Sequence, residues 1–160
     1  MGLEIERKFL LSGPAEPWRD APSEALIQGY LCLDPERTVR VRLANGRGTL
    51  TVKGLAQGLT RREYEWEIPA AEAQELLGLC RPSLVEKTRF KLPLGPHLWE
   101  VDLFSGANEG LALAEVELSS EHESVQLPAW IGEEVSHDPR YTNAQLAQRP
   151  FGTWGAAHAG

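Results

Sequence analysis

Residues 4–10 read EIERKFL, an alternation of charged and apolar side chains near the start of the 160-residue chain. In a β-strand successive side chains point to opposite faces, so Glu4, Glu6 and Lys8 would share one face. Two carboxylates placed in this way can share a divalent cation, and a lysine beyond them can meet an anion. A strand with a solvated charged face has the same pattern. The segment alone therefore leaves a binding site and a plain surface strand both open.

The composition predicts one soluble domain that is rich in turns. A chain of 160 residues, 42% hydrophobic and 24% charged, is long enough to bury a substantial core. Fifteen glycines and eleven prolines favour a strand-rich fold over a helix bundle. The formal net charge of −7 argues against a nucleic acid or an acidic membrane held by bulk attraction. We expect neither partner, and a local basic site is compatible with this charge.

Cysteine usage and the absence of targeting signals predict a cytoplasmic protein. Cys32 and Cys80 have no CxxC spacing, and two lone thiols fit a reducing compartment. The N-terminus does not resemble a signal peptide, and no apolar run reaches membrane length. The four histidines are scattered, which disfavours a histidine-based zinc site. An oligomer is compatible with all of these features.

Eight segments have the alternation or the apolar content of strands. They span residues 3–11, 26–33, 39–43, 49–54, 62–68, 84–92, 98–104 and 111–118. A helix is predicted over 69–78, because Pro69 suits its first position and Gly78 ends it. Shorter helices are predicted near 120–123, 128–131 and 143–148, and a flexible tail after Pro150.

Most of the predicted strands are joined by short turns, which makes sequential neighbours antiparallel. Asn45-Gly46 is the clearest turn, since both residues tolerate a positive φ. Eight is about the number of strands at which a sheet closes into a barrel and removes its own edges. We therefore predict a mostly β (α+β) fold, in which a closed eight-stranded antiparallel barrel is flanked by helices.

The charged faces of these strands are nearly pure in sign. Basic side chains share a face at positions 40 and 42, at 53, and at 87, 89 and 91. Acidic side chains share a face at 63, 65 and 67, at 100 and 102, and at 115 and 117. Like charges two residues apart on a strand repel unless an opposite charge lies between them. This arrangement is more ordered than a solvated face requires.

Two structures would account for these faces. One is an antiparallel sheet with a dry face and a wet, charged face. The other is a barrel whose charged sides line the interior, while apolar side chains such as Trp66 and Trp99 form an outer core beneath helices and loops. Buried charges are costly without partners, so such an interior would need an anionic ligand and divalent cations. A chain of linked phosphates has the charge density to suit it.

The series of motifs resembles the CYTH superfamily, the triphosphate tunnel metalloenzymes. The resemblance covers residues 3 to about 150 and predicts a CYTH domain over 1–150, followed by a flexible tail over 151–160. Its motifs follow the family order, and the complete series is far more specific than any one of them. They are Glu4-x-Glu6-x-Lys8, Arg40-x-Arg42, Thr51-x-Lys53-Gly54, Glu63-x-Glu65, Glu86-Lys87-x-Arg89, Glu100-x-Asp102, Glu115-x-Glu117 and Asp138-Pro-Arg140-Tyr141-x-Asn143.

The resemblance implies a tunnel that binds a small-molecule triphosphate with Mg²⁺ or Mn²⁺. The phosphate-binding residues that it implies are Lys8, Arg40, Arg42, Lys53, Lys87 and Arg89. The metal ligands that it implies are Glu4, Glu6 and Glu117, with Glu115 as a further candidate. Glu63, Glu65 and Asp102 would serve a second metal or orient water, so that the catalytic set is Glu4, Glu6, Lys8, Glu63, Glu65 and Asp102. Tyr30 and Arg140 are candidates to reach the lumen, although packing or a surface pair would explain each equally well.

Members of the family differ in substrate. Small stand-alone members resemble tripolyphosphatases, and the expected reaction is hydrolysis of inorganic tripolyphosphate to pyrophosphate and phosphate. Thiamine triphosphate, an RNA 5′-triphosphate and ATP cyclised by a class IV-type adenylate cyclase are the alternatives, although the His-Phe-Gln-Arg run of the cyclase branch is absent. A polyphosphate- or nucleotide-binding module without catalysis is the alternative of a different class.

Overall fold

A computed structural model describes residues 2–155 and places nine β-strands, two α-helices and four short 3-10 turns in them. The strands are β1 Gly2–Leu11, β2 Ser23–Cys32, β3 Arg37–Ala44, β4 Arg47–Gly54, β5 Thr60–Ile68, β6 Val85–Leu94, β7 His97–Ser105, β8 Ala112–Glu117 and β9 Ile131–Glu134. The helices are α1 Ala70–Leu77 and α2 Asn143–Gln148. No helix among the described residues is long and apolar enough to cross a membrane.

Eight strands close into an antiparallel barrel, as the sequence predicts. Their order is β5-β4-β3-β2-β6-β7-β8-β1, and β5 pairs with β1 to complete the ring. The first half of β1 pairs with β5, whereas β9 occupies the same edge of β1 near Phe9 and Leu11. The short β9 is therefore an addition to the ring. The barrel brings the inward side chains of all eight strands around one axis.

The hairpin between β3 and β4 shows how local sequence sets this register. Asn45 and Gly46 have φ values of +52° and +76°, which suit a two-residue turn in a right-twisted hairpin. The turn places Arg42 opposite Thr49 and Arg40 opposite Thr51. On the outer side, Gly48 lets α1 approach closely, because a Cβ at Gly48 would lie 2.7 Å from the Cβ of Ala73.

The outer face of the barrel carries two of its three apolar cores. One lies between α1 and strands β2 to β4, around Val41, Ala73 and Leu77. The other lies over β1, β7 and β8, where Trp99 packs against Phe9 and Trp130. The prediction of an outer core is confirmed for Trp99 but wrong for Trp66, which is 52% exposed. Trp66 stacks on Tyr64 on the outside of β5, and both rings are exposed.

The interior has a charged part and an apolar part. At the end of the barrel where β1 and β7 end and β6 and β8 begin, the inward side chains are apolar. They are Leu10, Val85, Phe104 and Leu113, each two positions along its strand from the inward Lys8, Lys87, Asp102 and Glu115 respectively. This end contains the third core, in which Leu146 and Ala147 of α2 pack together with Trp154. The C-terminal segment thus covers one end of the barrel, and the charged chamber occupies the rest.

Three predictions about the second half of the chain are wrong. Residues 120–123 form turns, because the Glu123 side chain accepts hydrogen bonds from both the backbone and the hydroxyl of Ser119 rather than capping a helix. In place of a helix near 128–131, the chain turns at residues 129 and 130, and β9 begins at Ile131 and pairs with the edge of β1. Within the segment expected to be flexible, Phe151–Thr153 form a 3-10 turn, and the next residue, Trp154, is buried. Residues 156–160 of the predicted tail lie outside the described residues.

Candidate active site

A polar chamber lies inside the barrel, lined by acidic and basic side chains from seven strands. Its wall is almost free of apolar surface. The lining residues are Glu4, Glu6, Arg40, Arg42, Lys53, Glu63, Glu65, Arg89, Glu100, Glu115, Glu117 and, from α2, Asn143. Strand alternation places these side chains inward while their neighbours pack outside. The barrel thus brings together acids and bases that are up to 113 positions apart, from Glu4 to Glu117.

The arginines of β3 form the basic wall of the chamber. Arg40 is buried, donates a hydrogen bond to Thr51 Oγ1 at 3.1 Å and lies 3.6 Å from Glu65. Its Nε has no hydrogen-bond partner among the described residues. Burial, together with the charges of Arg40 and Arg89, lowers the pKa of Arg42 to about 9. These cations repel one another, and a polyanion between them would relieve the repulsion.

Lys53 and Glu4 form an ion pair in the lining of the chamber. Lys53 Nζ lies 2.9 Å from Glu4 Oε1 and 3.4 Å from Glu63 Oε2. Burial opposes ionisation of Glu4, but the charge and the hydrogen bond of Lys53 outweigh it and lower the pKa of Glu4. Burial and the charge of Glu4 raise the pKa of Glu63. One lysine therefore serves two carboxylates and does not fully compensate them.

Glu6 has no basic partner. Among residues 2–155 the structure gives it no ion pair, and Glu117 lies opposite it in the β1–β8 ladder. Burial, followed by the charges of Glu115 and Glu4, raises the pKa of Glu6 to about 8. The pKa of Glu117 is also raised, by burial and by Glu4 and Glu100. This crowding of carboxylates indicates a place where a cation would be stabilising.

Glu115 is held differently, because cations surround it. Its carboxylate lies 3.6 Å from Lys8 Nζ and 3.8 Å from Arg89. Burial disfavours its charge, but Lys8 and Arg89 outweigh this and keep the pKa of Glu115 well below its usual range. Lys8 Nζ also donates to the carbonyl oxygen of Tyr141, which links β1 to the C-terminal segment.

Asp102 lies behind the chamber wall rather than on it. Its two oxygens accept a bidentate pair of hydrogen bonds from Arg89 at 2.8 and 2.9 Å. Lys87 Nζ lies 2.7 Å from the same carboxylate and donates to Asn143 Oδ1. Burial opposes the charge on Asp102, and Lys87 and Arg89 more than compensate, which lowers its pKa. Asp102 and Lys87 are both fully buried and neither lines the chamber.

The chamber continues into a second cavity toward the C-terminal segment. The two share Glu4, Glu6, Arg40, Lys53 and Asn143. Lys8, Tyr30 and Arg61 line the added part, so Tyr30 reaches the lumen. Arg140 lines neither cavity; it pairs with Asp138 at 2.7 Å and lies over the rings of Tyr141 and Trp154.

Comparison with known proteins places this architecture in a family. A model of the CYTH domain matches residues 2–151 of the chain. The chain belongs to the CYTH family. This confirms the resemblance drawn from the motifs.

Two relatives of this CYTH protein are named inorganic triphosphatases. One, from Acetivibrio thermocellus, is 47% identical over 153 residues, which cover 94% of this chain and 97% of the relative. The other, from Nitrosomonas europaea, is 40% identical over 151 residues, which cover 90% of this chain and 96% of the relative. A crystal structure of an inorganic triphosphatase superposes with a TM-score of 0.66 at 36% identity, covering 90% of this chain and 97% of that one.

Among the residues that sequence reasoning placed in the site, the barrel brings nearly all to the chamber. Asp102 and Lys87 are the exceptions. Lys8 lines the second cavity rather than the chamber. The lining residues that were not predicted as site residues include Glu100, Asn143 and Arg61. Glu100 alternates with Asp102, and Asn143 belongs to the C-terminal motif, so both carried a signal. Arg61 alternates with Glu63 as well, but it lies one residue before the predicted strand 62–68 and was therefore missed.

Among the described residues, no three acidic, histidine or cysteine side chains converge as a ready-made metal cage. Carboxylates nevertheless cluster on one side of the chamber of this CYTH protein, at Glu4, Glu6 and Glu117. Oxygen ligands of this type suit hard divalent cations.

Proposed function

We propose that this CYTH protein hydrolyses inorganic tripolyphosphate to pyrophosphate and phosphate with Mg²⁺ or Mn²⁺. The observation that carries the proposal is a chamber inside the barrel that combines Arg42, which has no carboxylate partner among residues 2–155, with Glu6 and Glu117, whose pKa values are raised by burial and by neighbouring carboxylates. A ligand that is highly anionic and carries a divalent metal would compensate the basic side chains and the acidic side chains together. The two relatives named inorganic triphosphatases support this choice of substrate.

We infer that the phosphates are bound by the basic side chains that line the chamber or the second cavity. Arg40, Arg42 and Arg89 present guanidinium groups suited to phosphate oxygens, and Lys8 and Lys53 add point charges. Lys87 was expected among them, but its ion pair with Asp102 makes a supporting role more consistent with its position. We infer that Asp102 holds Lys87 and Arg89 in place rather than contacting a metal.

Glu4, Glu6 and Glu117 are the proposed metal ligands. The raised pKa of Glu6 fits this role, because a divalent ion would replace the proton that now relieves the crowding. Mg²⁺ is usually bound by one or two carboxylates, while water and substrate phosphates complete its octahedron. A preformed cage is therefore not required. Glu115, already paired with Lys8 and Arg89, is the weaker candidate.

The reaction needs alignment and charge neutralisation more than covalent chemistry by the protein. Water forms a bond to one phosphorus, one bridging P–O bond breaks, and the leaving phosphate takes the electron pair. A bound divalent ion would polarise the phosphoryl group and neutralise its charge. Arg40, Arg42 and Arg89 stabilise the charge that grows on the leaving oxygen. Glu63, whose pKa is raised, is placed to orient the water and accept its proton.

The lining of the central chamber favours an inorganic substrate over an organic one. Its walls offer almost no apolar surface to a thiazole, a base or a ribose. The second cavity has more apolar lining, from Leu59, Val135 and Ala144, so thiamine triphosphate and ATP are included among the substrates to be tested. Both cysteines are free, which fits the cytoplasmic location that we propose.

A substrate panel tests this function. Phosphate release from tripolyphosphate, ATP, thiamine triphosphate and pyrophosphate is compared with Mg²⁺, with Mn²⁺ and with a chelator. We expect the fastest release from tripolyphosphate and none with the chelator. Tight tripolyphosphate binding without turnover under any divalent ion would instead support a binding module.

A further inference from the structure

Gln28 lies on the inner face of β2, directly opposite Arg42 of β3. The side chain has no exposed surface and lines neither cavity. Its Oε1 accepts a hydrogen bond of 2.8 Å from Arg42 Nε. Its Nε2 has no partner among the described residues. The only hydrogen bond that the structure gives this buried amide is therefore the one to Arg42.

Arg42 differs from the other basic residues of the barrel interior in its partner. Five of the six candidate phosphate-binding cations have a carboxylate within 4 Å: Lys8 with Glu115, Arg40 with Glu65, Lys53 with Glu4, and Lys87 and Arg89 with Asp102. Within residues 2–155, Arg42 has none, and the neutral amide of Gln28 takes that place.

The identity of this partner decides what Arg42 can offer a ligand. A carboxylate at position 28 would form a two-point pair with the guanidinium and cancel its charge. An apolar side chain would leave the charge but release the guanidinium to other rotamers. An amide acceptor at Nε fixes the plane of the guanidinium, leaves its two terminal nitrogens for phosphate oxygens, and preserves the full charge.

We propose that Gln28 is a positioning residue that orients Arg42 toward the phosphates of the substrate while leaving its charge uncompensated. This inference rests on the proposed function, because it takes a polyphosphate as the ligand. Gln28 would thus contribute to ligand affinity through Arg42, although it is neutral, buried and does not line the chamber.

Calorimetric titration of metal-free protein with tripolyphosphate in a chelating buffer tests the proposal without turnover. Gln28→Glu is expected to weaken binding at least tenfold, because it keeps the shape and the acceptor but neutralises Arg42. Gln28→Met is expected to weaken binding by about fivefold to tenfold through loss of orientation. Gln74→Glu, on the exposed face of α1, makes the same charge change at the surface and should bind as the wild type does.

A double-mutant cycle separates positioning from general packing. In an Arg42→Gln background, Gln28→Met should cause no further loss of affinity, because its effect passes through Arg42. Should Gln28→Met fail to fold, Gln28→Leu completes the same cycle, because it also removes the acceptor without adding a charge. Equal losses in both backgrounds, or wild-type affinity in Gln28→Glu, would overturn the proposal. Wild-type protein that does not bind metal-free tripolyphosphate would overturn this proposal, whereas the substrate panel with divalent ions tests the proposed function independently.

Discussion

Glu6 of β1 and Glu117 of β8 lie directly opposite each other in the antiparallel ladder, both facing the chamber. Like charges at such positions destabilise a sheet unless a cation lies between them. Among residues 2–155 no basic side chain pairs with Glu6, and the pKa values of both carboxyl groups are raised. This pair is the strongest local indication of where a divalent ion would bind.

Replacing the first of these carboxylates should remove metal-dependent activity but not the fold. Glu6→Gln keeps the volume and is expected to lower Mg²⁺-dependent phosphate release at least a hundredfold, with an unchanged far-UV circular dichroism spectrum. Glu4→Gln should behave similarly. Glu67→Gln is the matched control, because this glutamate of β5 lies at the surface and lines neither cavity. Wild-type turnover in Glu6→Gln would remove the metal-site assignment.

The raised pKa of Glu6 predicts a pH-dependent stability of the metal-free protein. Its carboxyl has a pKa of about 8 in the fold and about 4.5 in the unfolded chain, so the folded state binds more protons between these values. The free energy of unfolding should therefore fall as the pH rises from about 5 to 8, by up to a few kcal/mol. Urea denaturation at several pH values measures this change.

Glu6→Gln provides the control for that pH series. The variant cannot ionise at this position, so its stability should depend less on pH over the same range. Added Mg²⁺ should also stabilise the wild type more at pH 8 than at pH 6, since binding must displace the proton. Parallel pH profiles for wild type and Glu6→Gln would contradict the assignment of this titration.

Asp102 should matter chiefly for stability. Asp102→Asn leaves Lys87 and Arg89 buried without their carboxylate, which should cost about 3–5 kcal/mol. Glu100→Gln removes a partly exposed partner of Arg89 at 3.4 Å and should cost less than about 1 kcal/mol. Chemical denaturation of both variants gives the comparison. Equal, small losses would mean that the buried cations do not depend on Asp102.

The C-terminal segment is expected to be part of the stable fold up to at least Trp154. This indole is buried and packs edge-on against Tyr141 and Phe151, at centroid distances of 5.3 and 5.1 Å. Trp154→Ala should therefore lower the free energy of unfolding by about 3–5 kcal/mol. Leu79→Ala, at a residue that is 66% exposed, is the control with little expected effect. Equal stability of the two variants would restore the expectation of a flexible tail.

The sequence predicts this barrel well because most of its strands alternate between charged and apolar side chains and several of them are joined by short turns. The run EIERKFL and the Asn45-Gly46 turn each specify a face or a register from a few local residues. Pairings between distant segments carry no such signal. The addition of β9 to the edge of β1, the burial of Trp154 and the exposure of Trp66 all depend on which surfaces other segments cover.

The candidate site, like the fold, was predictable from the sequence only in part. Alternation identifies the charged inward face, but it does not say how far along each strand the chamber extends. Asp102 and Glu100 lie on that same face, and only their positions in the β6–β7–β8 ladders separate the buried carboxylate from the chamber-lining one. Gln28 has no charge and belongs to no acidic or basic run, so nothing in the local pattern marks it.

Phosphorus NMR of tripolyphosphate incubated with the protein is the decisive experiment for the proposed hydrolysis, because it identifies the products as well as the rate. With Mg²⁺ or Mn²⁺, the tripolyphosphate signals should be replaced by those of pyrophosphate and phosphate in equal amounts. Glu6→Gln and a chelator should each prevent this change. Unaltered tripolyphosphate in the presence of wild-type protein and either divalent ion would contradict the account.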